Sequence, residues 1–172
     1  VIEENDMAFD MLLDIDGIPG ESKIAGFEDK IDVLAWSWGE SNAGTFHTGG
    51  GGGAGKVNVQ DLSFTKYVDI ATPVLMLSCA TGEHIEKAVL TVRKAGGKAG
   101  EDALQYLVIT LEKLMVTSVS TGGSGGEDRL VENVSLNFAK CSIAYAQQDD
   151  KGAEKAKKTF SWDVESNKGD VS

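Results

Sequence analysis

Leu104-Gln105-Tyr106-Leu107-Val108-Ile109-Thr110-Leu111 reads as a strand with apolar side chains on both faces. Such a strand has to be covered on two sides. Residues 114–120 continue the pattern, and 130–145 forms another long strand in which the apolar positions change phase, from Val134, Leu136 and Phe138 to Cys141, Ile143 and Tyr145. A change of one residue requires a bulge near 139–140, or a strand long enough to serve two packing layers. Outward from this ribbon, Phe9, Met11, Leu13 and Ile15 alternate with Asp10, Asp14 and Asp16, the pattern of a half-buried strand. Residues 31–38 place Leu34, Trp36 and Trp38 on one face and Ile31, Val33, Ala35 and Ser37 on the other. The tryptophans are the expected core anchors. Further strands are expected at 57–65, 86–94 and 159–164. The fold class is therefore mainly β: a two-sheet β-barrel or sandwich of about eight strands with long glycine-rich loops.

One α-helix is expected at about 72–82. Thr72 is the expected N-cap, Pro73 takes the first helical position, and Gly82 ends the helix in a left-handed conformation. Between them Val74, Leu75, Met76, Leu77, Cys79 and Ala80 are apolar almost all the way round. A helix without a polar stripe is covered on more than one side. Either it plugs one end of its own barrel, or a neighbouring subunit covers its outer face.

The chain has 172 residues, 16 Lys+Arg against 27 Asp+Glu, and a formal net charge of −11. This length builds one packed domain without disulfide staples. Acidity argues against nucleic acid and against anionic membrane surfaces, both of which select for Lys and Arg. No apolar run approaches the ~20 residues of a spanning helix. Residues 1–6 are read as an expression scar or a disordered extension, with one domain over 7–172. The acidic N-terminus lacks the basic and apolar regions of a cleaved signal peptide. Cys79 and Cys141 show no CxxC spacing and read as free thiols.

Several motifs invite a chemical reading and fail on context. Gly50 to Lys56 matches GxxxxGK, but Val57 stands where a phosphate-binding loop needs Ser or Thr, and a strand follows. Gly122-Gly123-Ser124-Gly125-Gly126 matches GxSxG, yet no histidine follows His84 in the chain. His84 lies near Cys79, Glu83 and Glu86 at no familiar ligand spacing, and His47 is a loop histidine. Glu127, Asp128 and Arg129 read as a solvated turn or contact tip. Lys151, Lys155, Lys157 and Lys158 are interleaved with acids in an exposed connection. No catalytic constellation, cofactor site or metal site is expected, and the loops and helix ask for protein partners.

Certain stretches together resemble the haemolysin-coregulated proteins (Hcp), the tube-forming proteins of bacterial type VI secretion systems. They are Ile31 to Gly39, the glycine run into Gly55-Lys56-Val57-Asn58-Val59-Gln60-Asp61, and Phe64-Thr65-Lys66-Tyr67. Leu90-Thr91-Val92-Arg93-Lys94-Ala95-Gly96-Gly97, Ser118 to Asp128, and Glu132-Asn133-Val134 to Asn137-Phe138 complete the set, which covers about 7–140. The resemblance implies a homo-hexameric ring of β-barrels, each with one helix, and rings stacked into a hollow tube. The implied partners are a contractile sheath, a spike tip protein and effector proteins carried in the lumen. The implied location is cytoplasmic before firing, then secreted or delivered into a target cell. An alternative is a ring-shaped carrier whose main role is cargo binding.

On this reading the helix and the loop at 39–56 supply the subunit interface, with Thr45, Phe46, His47, Leu75, Met76 and Cys79 as candidate contacts. Gly123, Glu127, Asp128 and Arg129 are candidate ring-stacking residues. Ser37, on the small polar face of its strand, is the candidate lumen and effector contact.

Overall fold

The computed structural model describes residues 9–44, 46, 53, 55–94, 103–150 and 153–172. In chain order the elements are β1 (Phe9–Ile15), β2 (Ile31–Ser37), β3 (Glu40–Ser41), β4 (Asn58–Val59) and β5 (Leu62–Tyr67). The helix α1 (Ala71–Thr81) follows, then β6 (Ile85–Lys94), β7 (Gln105–Gly122), β8 (Val131–Gln148), β9 (Glu154–Asp163) and β10 (Lys168–Val171). Six strands in the order β8-β5-β2-β1-β6-β7 close into a barrel through the β7–β8 pairing, and β9 and β10 extend the sheet from β8. β3 and β4 form a small separate ladder. The expected barrel is present, with ten strands among the described residues where eight were read from the sequence: β3 and β10 are additional, 57–65 divides into β4 and β5, and 104–111 joins 114–120.

Residues 104–111 and 114–120, read as two strands, are one. At ~3.3 Å per residue, the β7–β8 ribbon runs roughly 60 Å. Its phase changes on both strands at the same level. Ile109 and Leu111 are buried, Glu112 and Lys113 are both exposed, and Leu114 and Val116 are buried again. Lys113 makes this possible with φ of 52°. Opposite it, burial passes from Phe138 to Cys141 while Glu112↔Lys140 and Leu114↔Phe138 keep one register. The bulge considered near 139–140 is absent; the register shift of this pair lies between Val116 and Ser118. β8 instead serves two neighbours, pairing with β5 over its first part and with β9 from Lys140 onward.

The faces of β2 differ from the sequence reading. Ile31 and Val33 are buried and Leu34 is exposed, whereas Trp36 and Trp38 pack on the core. A register shift against β5 between Val33 and Ala35 swaps the parity, so the inward set passes from odd to even positions. Trp38 meets Phe138 edge-on at 6.0 Å, and its indole N–H donates to the Gln60 carbonyl at 3.0 Å.

The helix also starts differently. Thr72 lies inside it, and Pro73 is its third residue rather than its first. The start is organised from Asp69, whose Oδ1 accepts the Ala71 N–H at 2.9 Å, while the Thr72 hydroxyl accepts the Asp69 N–H at 3.1 Å. This exchange resembles a capping box headed by Asp69, three residues before the expected N-cap, with Ile70 already in helical conformation at φ −62° and ψ −22°. Pro73 still falls within the first turn, where backbone N–H groups have no helical partner. Gly82 closes the helix at φ of 63°, its N–H bonding back to Ser78, as expected.

Candidate functional site

Helix α1 lies on its own barrel by Ala71, Thr72, Leu75 and Ser78, all buried. The opposite side stays apolar and uncovered: Ile70 is 61% exposed, Leu77 63% and Met76 46%. Leu75, expected at a subunit contact, belongs to the intramolecular core at 0% exposure. It shares a face with Ala71 and Ser78 at helical spacing. Met76 is on the free side, and Cys79 is half-buried at its edge.

The pose of the helix depends on residues that the sequence reading left without a role. Lys66 on β5 and Glu132 on β8 are both fully buried and ion-paired at 2.5 Å. The Lys66 ammonium also donates to Asp69 Oδ1 at 2.7 Å and to the Tyr67 carbonyl at 2.8 Å. Thr72 joins in from the helix, donating its hydroxyl to Glu132 Oε1 at 2.7 Å. The signal was present in the alternation. Lys66 falls in phase with Leu62 and Phe64, and Glu132 with Val134 and Leu136, so both charges sit on core-facing positions.

A second surface is made by cross-strand register. Ser37, Ser63, Ser135 and Ser118 stand side by side across β2, β5, β8 and β7. In the neighbouring row stand Ala35, Thr65, Asn133 and Ser120. Their backs are the core residues Trp36, Phe64, Val134 and Val119. Two hydrogen bonds knit the face, Ser63 Oγ with Ser135 Oγ at 3.1 Å and Thr65 Oγ1 to Asn133 Oδ1 at 2.7 Å. The eight side chains are small and none is charged. Only Ser37 of this set was singled out from sequence, because adjacency of the other strands depends on pairing.

The third region is the β7–β8 tip. Gly123, Glu127, Asp128 and Arg129 are exposed there. Leu130 folds over Gly123, with its Cδ2 2.1 Å from where a Cβ would stand, so only glycine fits unless Leu130 moves. The Arg129 guanidinium lies 3.7 Å from the Tyr67 ring centroid, which ties the tip to the strand entering the helix. Nearby, Asp32 is held above the usual carboxylate range, first by lost hydration and then by the Asp69 charge, with Arg129 acting the other way.

A fourth feature is the arm between β2 and β5. Its base is clasped by the β3–β4 ladder and by Asn42 Nδ2 donating to the Gly55 carbonyl at 2.7 Å. Phe46 projects at 87% exposure. Thr45 and His47 lie outside the described residues. Lys56 leads into β4 and Gly122 ends β7, so neither glycine motif opens a helix. Among the described residues no three metal-ligating side chains cluster, and no helix is long and apolar enough to cross a membrane.

Comparison with known proteins accounts for this arrangement. A family model described as type VI secretion system effector, Hcp, matches residues 12–145. The chain is 55% identical over 162 residues to the protein Hcp1 of Pseudomonas aeruginosa, covering 94% of this chain and 98% of that one. Crystallised Hcp1 from Salmonella typhimurium is 38% identical with a TM-score of 0.76, across 95% of this chain and 100% of the other. A solved type six secretion system protein, 27% identical, reaches a TM-score of 0.86 with the same coverage. With more than half the residues shared along nearly the whole of both chains, and the same barrel beneath them, this chain belongs to the Hcp family of type VI secretion proteins.

Proposed function

We propose that this chain is the tube unit of a type VI secretion system, closing six copies into a ring and stacking rings into a hollow tube that is driven from the cell with effector proteins inside. A contractile sheath would drive it and a spike protein would cap it. The observation that carries the reading is the apolar outer side of α1, held on a barrel whose own core is already complete. Burying a fully exposed side chain of this size is worth about 1.5–3 kcal/mol, and the roughly half to two-thirds of Ile70, Met76 and Leu77 that is still exposed is the share left for a contact to gain. A second copy offers such burial six times over in a closed ring. Because the helix meets a different patch on the next copy, the contact is head-to-tail, and a rotation of the right size closes it.

The remaining surfaces take roles around that contact. The arm bearing Phe46 reaches across to a neighbouring copy. The tip with Gly123, Glu127, Asp128 and Arg129 meets the next ring. The serine-rich face around Ser37 lines the lumen, where small uncharged side chains give a smooth wall bordered by the Asp61 carboxylate, which Thr117 and Asn137 hold. The unit is made in the cytoplasm and leaves the cell as part of the tube.

Electron microscopy and sedimentation of the purified protein test this. Rings of six 18.2 kDa chains and stacks of them are expected, whereas a monomer at every concentration would refute the reading. Phe46→Asp should leave the barrel folded and shift the sedimentation profile toward the monomer; an unchanged ring removes the arm from the contact.

A further inference from the structure

We propose that the buried Lys66–Glu132 pair, with Asp69 and Thr72, is a positioning device that sets the angle at which α1 presents its apolar side, and so decides whether the ring closes. The inference rests on the ring reading above. Lys66 and Glu132 are wholly shielded from water, and a buried ion pair adds little stability over a well-packed apolar pair of the same volume. This one is not even saturated, since Glu132 Oε2 is buried with no hydrogen-bond partner. Stability alone gives no reason for it. Directionality does.

The four groups belong to three elements. Lys66 is on β5 and Glu132 on β8, Asp69 stands at the entry to α1, and Thr72 lies in its first turn. Lys66 Nζ reaches Asp69 Oδ1, the same oxygen that accepts the Ala71 N–H, so one atom joins the cation to the helix start. Thr72 Oγ1 bonds Glu132 from the helix side and accepts the Asp69 N–H. Rotating or sliding the helix breaks several of these bonds together. The rest of the helix footing is the buried Ala71, Leu75 and Ser78 with the partly buried Val74 and Cys79, small or aliphatic contacts that tolerate sliding, and one further bond at its start, from the Ile70 N–H to Glu21 Oε2 at 2.8 Å. A head-to-tail contact closes a ring at one rotation only and otherwise propagates into open chains. Fixing the helix angle therefore acts on assembly more than on folding.

The test compares ring formation with thermal unfolding in Lys66→Met/Glu132→Leu, which removes both charges at similar volume, and in Thr72→Val, which removes the hydroxyl bonds to Glu132, Lys66 and the Asp69 N–H and leaves both buried charges in place. The wild-type chain serves as control. Both variants should melt within a few degrees of the wild type. Their rings should dissociate at tenfold or higher protein concentration, with open arcs or altered subunit numbers in electron micrographs. Six-membered rings of wild-type concentration dependence in Thr72→Val would overturn the proposal, even if the double variant fails to fold. So would a loss of rings that only tracks a loss of folded protein. A wild-type chain that never leaves the monomer overturns the ring reading, and this inference with it.

Discussion

Cys141 lies on β8 against Trp162 and the barrel core, and burial, with the Glu40 charge adding to it, pushes its thiol up to about 11. The reactive species is the thiolate, which at pH 8 is then about one part in a thousand of this cysteine. Cys141 is therefore expected to stay unmodified by a thiol reagent in the folded protein and to be counted only in denaturant. Counting two reactive thiols before unfolding would refute this. Sequence alone read both cysteines as free thiols, with Cys79 a candidate subunit contact on the helix and Cys141 an apolar position of a strand. Their environments come from packing: Cys79 sits half-buried at the edge of the helix's open side. Lys66 and Glu132 show the opposite case. Their core-facing parity is written in the chain, but their partnership appears only when β5 and β8 pair at Lys66↔Glu132.

At the scale of elements, strands were legible wherever a single neighbour covers each face, because alternation then reports burial directly. β1 and β6 fall close to the expected spans, while the strand expected at 57–65 is broken after Val59 and resumes as β5 at Leu62. β2 was misread at Leu34 because its parity changes at a register shift that its partner strand imposes. The phase change in β8 was legible, but choosing between a bulge and a second packing partner required the course of β9. Helix α1 was found with its C-cap, while its start was misplaced because Thr72 is the second partner of a capping exchange headed by Asp69, its hydroxyl bonded back to the Asp69 N–H and across to Glu132. The uncovered side makes its own prediction. Leu77→Asp puts a carboxylate into the proposed subunit contact, where it loses hydration without gaining a partner. Monomer stability should change by about 0.5 kcal/mol or less, since the side chain is 63% exposed, while rings dissociate. Retention of rings in sedimentation would exclude this side of the helix from the interface.

For the whole molecule, charge governs how assembled units meet. Each chain carries a formal −11, and a ring multiplies that repulsion. The screening length falls from ~30 Å at 0.01 M salt to ~8 Å at 0.15 M. Stacking, followed by light scattering, is therefore expected to rise with ionic strength; a flat or falling signal would mean that local pairs at the ring faces outweigh the net charge.

Alternation, the run of apolar helix residues and the composition were enough to determine a mainly β domain with one helix and long loops, since these are local consequences of period and charge. The family was likewise readable from motifs that stand at fixed spacing. The closed barrel, the serine-rich face and the anchoring of the helix were decided only by tertiary structure. Each depends on register between strands distant in the chain, and a shift of one residue would turn every side chain of a strand to the other face.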